Sequence, residues 1–117
     1  MSRIALLAAG LVATLALAAP VGAMGPTKLT GTVGPGFTIS LKKGGVKVKT
    51  LKAGKYTITV TDKSNIHDFH LTGPGVNKMI TTIAFKGTKT VTVTVKKGRY
   101  TYKCDPHPNM VGHFTVN

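Results

Sequence analysis

The feature that most restricts the fold of this chain is a strict alternation of apolar residues with Thr or Lys. Between Tyr56 and Thr61, and again between Thr90 and Val95, every second side chain is apolar. A period of two is typical of β-strands that bury one face. The same alternation covers residues 37–42, 46–49, 99–104 and 110–116. Because no sustained helical repeat follows residue 23, we predict an all-β domain.

Glycine-rich turns separate these runs and set the lengths of the predicted strands. Among them are Gly34-Pro35-Gly36, Lys43-Gly44-Gly45, Gly73-Pro74-Gly75 and Lys97-Gly98. Many short strands with regular turns predict a β-sandwich or a β-barrel. A sandwich with one apolar face on each sheet explains the Thr and Lys residues at the alternate positions.

The N-terminal residues have the pattern of a secretory signal peptide. Arg3 precedes an apolar run over residues 4–19, and Val21-Gly22-Ala23 fits a small-residue cleavage site. The run is short for a membrane span, although an uncleaved anchor is the alternative interpretation. We therefore predict a signal peptide at 1–23, a single domain at 24–117, and export to a periplasmic or extracellular location.

The charge of the chain is strongly positive, with 16 Lys and Arg residues against 3 Asp and Glu residues. Such a charge concerns partners and solubility rather than the fold. It predicts partner proteins with acidic docking surfaces, or a loose association of a monomer with an anionic membrane surface. Export, and lysines dispersed over alternate strand positions without exposed aromatic residues between them, argue against nucleic-acid binding.

The loop that begins at Cys104 carries the chemistry. Cys104 is the only cysteine, so in an exported chain it is a reactive thiol, an intermolecular bridge or a metal ligand. His107 and Met110 follow within six residues and favour the ligand. Sulfur and imidazole together suit copper, and Pro106 and Pro108 stiffen the loop between them.

A second histidine ligand is predicted from the segment 65–71, where two histidines compete. His67 shares its parity with Phe69 and Leu71 and should point inward, whereas His70 shares the outward parity of Asp68. His67 is therefore the predicted ligand. The outward parity of His70 and His113 predicts that both face solvent.

These motifs resemble the cupredoxins, and among them the plastocyanin and amicyanin group. The C-terminal Cys, His and Met pattern matches Cys104, His107 and Met110, with the short spacing of amicyanin, and the upstream His matches His67. The resemblance extends from about residue 33 to 116. It implies a Greek-key β-sandwich of about seven to eight strands and one type 1 copper ion bound by these four residues, with Met110 as the long axial ligand.

The resemblance also implies a function, that of a small exported one-electron carrier. Electrons would pass through the exposed edge of His107, near an apolar docking patch formed by the turns at 34–36 and 73–76. Phe37, Phe69 and Pro74 would supply an apolar shell around the metal. Asp68 stands where the family usually has Asn, and its charge is expected to favour Cu(II) and lower the reduction potential.

Two other functional classes are alternatives to an electron carrier. Copper storage, delivery or resistance would use the same ligands, with Met79, His70 or His113 assisting transfer, but the chain has no Met-rich or His-rich tract. An enzyme is not predicted, because a binuclear copper site needs a second cysteine. Cys104 and His107 as nucleophile and base are disfavoured by the inward parity of Cys104.

Overall fold

The computed structural model describes residues 25–117, so the predicted signal peptide lies outside the described residues. Ten β-strands account for most of this range. Their bounds are β1 (Thr27–Val33), β2 (Ile39–Lys43), β3 (Val46–Lys47), β4 (Thr50–Leu51), β5 (Gly54–Asp62), β6 (Phe69–Gly73), β7 (Val76–Thr81), β8 (Gly87–Val95), β9 (Gly98–Cys104) and β10 (His107–Val116).

The strands form two five-stranded sheets. One has the order β3-β2-β1-β5-β8 and the other the order β4-β10-β9-β6-β7. Most neighbours are antiparallel, but β1 runs parallel to β5, and the short β4 runs parallel to β10. The chain therefore crosses between the sheets repeatedly, and the predicted β-sandwich is confirmed.

The core lies between the sheets and is built from the inward parity of each strand. In β5, Tyr56, Ile58 and Val60 are buried while the threonines between them are partly exposed. Tyr100 stacks on Phe114 with ring centroids 5.2 Å apart. Aromatic pairs at such distances add to the burial of apolar area that holds the sheets together.

The strand count differs from the seven to eight predicted, because β3 and β4 are two-residue strands flanking the crossover between the sheets. Of the two valines that the alternation at 46–49 predicts to be buried, only one is. Val48, which follows β3, is buried, but Val46 is 69% exposed because it lies at the hairpin tip directly after Gly44 and Gly45.

Strand direction places the predicted ligands at one end of the sandwich. β1, β5, β7 and β9 run toward this end, where the connections 34–38, 63–68, 82–86 and 105–106 meet. We call it the ligand end, and the opposite end the far end. Within residues 25–117, the structure contains no helix long and apolar enough to cross a membrane.

Candidate metal centre

The four predicted ligands come from three adjacent pieces of one sheet. His67 precedes β6, Cys104 ends β9, and His107 and Met110 lie in β10. His107 is paired with Cys104, but the next pair is Val111 with Lys103, so three extra residues bulge from β10. Such bulges redirect side chains next to functional sites, and here the bulge ends with Met110 buried.

The donor atoms of three of these residues converge. The Nδ1 atoms of His67 and His107 are 3.1 Å apart, and the Cys104 Sγ lies 3.7 Å from the first and 3.4 Å from the second. Nitrogen and sulfur donors that each lie about 2.0–2.3 Å from one metal ion are separated by roughly 3–4 Å. The cluster therefore fits a single ion, and a thiolate, two imidazoles and a nearby thioether suit copper.

Burial divides the ligand set into an inner and an outer part. His67, Cys104 and Met110 are buried, as their parity predicted, whereas His107 is only half-buried. An ion held here would be shielded from solvent on the side of the core and reached from outside past His107.

The surroundings of the Cys104 thiol act on its pKa in opposing ways. Burial raises the pKa of Cys104, whereas the backbone N–H groups of Asp68 and His107, directed at the sulfur, lower it; the net result is a raised pKa. A metal-free thiol in this environment keeps its proton. A bound cation would take the place of that proton, which is the usual coupling between thiolate ligation and pH.

Asp68 is buried, and the prediction that it points outward with His70 is wrong. The residue precedes the first paired position of β6, so strand parity does not apply to it. Its Oδ1 atom accepts a hydrogen bond of 2.7 Å from the backbone N–H of Asp105. Burial raises the pKa of Asp68, against the opposing effect of this hydrogen bond.

His70 lies on the outer face of the sheet but does not simply face solvent, as was predicted for it. Its Nδ1 atom is 3.0 Å from the carboxylate of Asp105, and its Nε2 atom is 2.6 Å from the Asn77 Oδ1 atom. Burial lowers the pKa of His70, but the two acceptors outweigh it and raise the pKa above its ordinary value. The pairing of His70 with Lys103 across β6 and β9 brings it beside Asp105.

The remaining candidates for copper transfer lie apart from the cluster. The exposed His113 forms a hydrogen bond of 3.0 Å with Thr101, and Met79 is exposed on β7 opposite His70. The structure therefore brings neither His113 nor His70 into the donor cluster.

The predicted apolar shell is partly right. Phe69 is buried and stacks on Tyr102 at 5.6 Å. Phe37 is 67% exposed because it precedes β2, yet its ring meets those of His67 and His107 edge-on, at centroid distances of 5.6 and 5.0 Å. Pro74 was wrongly placed: β6 runs away from the ligand end, so the turn at 73–76 lies at the far end.

One glycine is required beside the buried histidine, a feature that the sequence analysis missed. Gly34 has a φ of 71°, and a Cβ atom there would lie 2.9 Å from the Cδ2 atom of His67. The buried Nε2 atom of His67 has no hydrogen-bond partner among the described residues. On this side the ring is positioned by packing, with Gly34 beside it and Phe37 in T-shaped contact.

Two rusticyanin structures support the fold. The match to a rusticyanin variant covers 80% of this chain and 79% of the rusticyanin chain, at 21% sequence identity and a TM-score of 0.55. The match to rusticyanin from Thiobacillus ferrooxidans covers 80% of this chain and 79% of that protein, at 22% sequence identity and a TM-score of 0.50. An amicyanin variant matches over 88% of its length and 82% of this chain, at 19% identity and a TM-score of 0.48.

Comparison with sequences establishes the family. No curated protein sequence matches the chain significantly. The model of a protein family described as copper binding proteins, plastocyanin/azurin family, matches residues 36–117, which is most of the chain and includes all four predicted ligands. With copper as the cofactor that fits its donor cluster, the chain belongs to the plastocyanin/azurin family of copper-binding proteins, the cupredoxins.

Proposed function

We propose that this protein is a mobile one-electron carrier with a type 1 copper site formed by His67, Cys104, His107 and Met110. The observation that carries the proposal is the convergence of one thiol sulfur and two imidazole Nδ1 atoms within 3.1–3.7 Å of one another. When bound, copper supplies the one-electron couple between Cu(I) and Cu(II). A Cys and two His ligands with a weak axial Met are typical of electron-transfer sites.

The protein contributes a donor set that is held in place by the sheet. Cys104 and His107 are paired across β9 and β10, and the Asp68 side chain anchors the residue after Cys104. The backbone N–H groups of Asp68 and His107 are directed at the sulfur. Because these groups are held by the sheet, the site needs little rearrangement when its charge changes, which suits electron transfer.

His107 is the proposed exit for the electron, because it is the ligand that reaches the surface. Pro106 and Pro108 on either side of it are exposed, and the ring of Phe37 stands beside it. These apolar side chains form a patch on which a redox partner could dock close to the ligand. The turn at 73–76, which was predicted from the sequence to join this patch, lies at the far end instead.

The site gives less support to copper storage or delivery. His70 is engaged by Asp105 and Asn77, and His113 by Thr101, so neither stands free beside the cluster. A carrier keeps its metal through many cycles, whereas a delivery protein releases it to an acceptor. Repeated reduction and oxidation in the presence of a Cu(I) chelator, with the copper content measured after each cycle, distinguishes the two.

The proposal also covers the location, the partners and the oligomeric state of the domain. The sequence of residues 1–23 supports export, and with it a periplasmic or extracellular location. The family supports a role in electron transfer to partner proteins rather than in catalysis. We propose a monomer that meets its partners through the patch around His107.

Visible absorption and copper EPR spectra of the Cu(II)-loaded protein test the site. An intense thiolate-to-copper band with narrow hyperfine splitting, lost in Cys104→Ser, is the expected result. His70→Gln is the matched control, since it removes a nearby imidazole that is not a proposed ligand. An ordinary Cu(II) spectrum that Cys104→Ser leaves unchanged would overturn the proposal.

A further inference from the structure

Charge is distributed unevenly between the two ends of the sandwich. The three acidic residues of the chain, Asp62, Asp68 and Asp105, all lie at the ligand end. Among residues 25–117, the far end has no acidic side chain and carries a group of exposed basic residues. These residues form the basic cluster: Lys43, Lys47, Lys49, Lys52, Lys55, Lys96, Lys97 and Arg99.

Five members of the basic cluster line two adjoining clefts, although they come from separate connections. Lys43, Lys52 and Lys55 line a cleft of about 810 Å³ at the far end. A neighbouring cleft of about 330 Å³ is lined by Lys43, Lys47 and Lys49. Lys43 borders both clefts, and none of these side chains forms a salt bridge with an acidic residue within 25–117. Positive charge left uncompensated in this way attracts an anionic surface.

An exposed apolar side chain stands within the cluster. Val46 is 69% exposed and follows Gly44 and Gly45, whose positive φ angles form the tight turn between β2 and β3. Lys43 and Lys47 flank this hairpin tip. An apolar residue that can enter the headgroup region, with ammonium groups beside it for the phosphates, suits a lipid surface better than a rigid acidic protein.

The distance from the cluster to the proposed electron exit also argues against a redox partner at the far end. The nine residues of β5 span the sandwich from Gly54 at the far end, next to Lys55, to Asp62 at the ligand end. At about 3.3 Å per residue, this is roughly 30 Å. A protein docked on the basic cluster would therefore be held far from His107. The lysines of the cluster cannot position a redox partner next to that ligand.

The chain also enters the domain at the far end. Gly25 and Pro26, directly before β1, line the same cleft as Lys52 and Lys55. The segment before them includes the apolar run at 4–19. A precursor held in a membrane by that run would present the basic cluster, rather than the ligand end, to the bilayer.

We propose that the basic cluster is a docking surface for anionic phospholipid headgroups and that it turns the ligand end away from the membrane. The proposal goes beyond electron transfer and does not depend on copper. It is therefore tested on metal-free protein, so that its failure is separate from any failure of the proposed carrier function.

Vesicle flotation compares two variants with the same change in charge. The protein is purified after export, its N-terminus is determined, and it is mixed with vesicles of phosphatidylcholine alone or with 30% phosphatidylglycerol. The cluster variant carries Lys43→Gln, Lys47→Gln, Lys52→Gln and Lys55→Gln. The control carries Lys63→Gln, Lys78→Gln, Lys86→Gln and Lys89→Gln, which are exposed positions outside the cluster.

The unmodified protein is expected to bind only the anionic vesicles, and less as salt is raised. With each lysine worth about five-fold in partitioning, the four substitutions of the cluster variant should together weaken binding on the order of 600-fold, whereas the control should stay within about five-fold of the unmodified protein. Equal losses in both variants, or no binding to anionic vesicles, would overturn the proposal. Capture by polyglutamate without vesicle binding would instead indicate an acidic protein partner.

A second measurement leaves all lysines in place. The chain contains no Trp, so Val46→Trp introduces a single fluorophore at the hairpin tip, and Ile83→Trp introduces one at an exposed position of the ligand end. Anionic vesicles should shift the emission of Val46→Trp to the blue and leave that of Ile83→Trp unchanged. A shift in Ile83→Trp alone would show that the opposite end meets the lipid, and the proposal would fall.

Discussion

The carboxylate of Asp68 accepts a hydrogen bond of 2.7 Å from the backbone N–H of Asp105. Asp68 directly follows His67, and Asp105 directly follows Cys104. The bond therefore joins the two segments that carry the buried histidine and the thiol, at the position next to each ligand. The side chain that makes it is buried, which gives this contact influence over both the geometry and the charge of the site.

Asp68→Asn is expected to raise the reduction potential of the copper-loaded protein. The amide oxygen can still accept the hydrogen bond from Asp105, but the negative charge that favours Cu(II) over Cu(I) is removed. Voltammetry at neutral pH measures the difference. An unchanged or lower potential in the Asn variant would contradict the prediction.

Asp68→Ala serves as the comparison for that variant, because it removes the acceptor as well as the charge. We expect the free energy of unfolding of the metal-free protein to fall by about 1–3 kcal/mol, the usual effect of losing a hydrogen bond to a charged group. Asp68→Asn should lose less. Urea unfolding followed by circular dichroism provides both values.

Gly34→Ala is expected to disturb the position of His67. The residue has a φ of 71°, which costs a non-glycine residue about 1–2 kcal/mol, and its new Cβ atom would lie 2.9 Å from the ring. Gly44→Ala is a matched control, since Gly44 has a φ of 56° with no atom near the added Cβ. Both should lose stability, but only Gly34→Ala should alter the copper EPR spectrum.

Phe37→Ala is expected to loosen the metal site with little effect on folding. The ring is largely exposed, but it contacts both imidazoles edge-on. Such aromatic contacts contribute about 0.5–1.5 kcal/mol, so copper should be lost to a chelator roughly 2- to 10-fold faster. Ile83→Ala, an exposed apolar position at the same end, should release copper at the original rate.

The contact of His70 with Asp105 predicts a dependence of stability on pH. Because the pKa of His70 is raised in the folded protein, its contribution is complete below about pH 6.5, the pKa of an unperturbed imidazole. It is lost as the pH rises through the higher folded value. As the pair is partly exposed, the change should be below about 1 kcal/mol.

Urea unfolding of metal-free protein at pH 5.5 and 8.5 measures this effect. The difference between the two pH values should shrink in His70→Gln and persist in His113→Gln, which removes an imidazole from the same sheet but not from the ion pair. If His70→Gln retains the full difference, another group is responsible.

Alternation in sequence predicted the interior well wherever a strand is long. Tyr100, Tyr102 and Cys104 share one face of β9, and Phe114 and Val116 share the inward face of β10, because each strand keeps its pairing over its length. The inward direction of Cys104 follows from the same rule, whereas Met110 is buried although it belongs to the unpaired bulge of β10. The family motif added the identity of the metal, which periodicity cannot supply.

The errors fall where a strand begins or ends. Phe37 and Asp68 carry the parity of the strands that follow them, but neither is paired, so each is oriented by its local contacts. Val46 begins a two-residue strand directly after the turn at Gly44 and Gly45 and is exposed at the hairpin tip. The position of Pro74 depends on which way β6 runs, a property of the whole topology that no local pattern contains.

The bulge after His107 has a consequence for how the cofactor is acquired. Three of the proposed donors, Cys104, His107 and Met110, lie within seven residues of one hairpin, and the fourth lies 37 residues before Cys104. The denatured chain thus retains a local chelate of sulfur and imidazole, and any copper bound there reduces the thermodynamic linkage between metal and folding. Folding mainly adds His67 to these donors. Copper bound by the denatured chain would therefore gain its fourth ligand only when β6 pairs with β9.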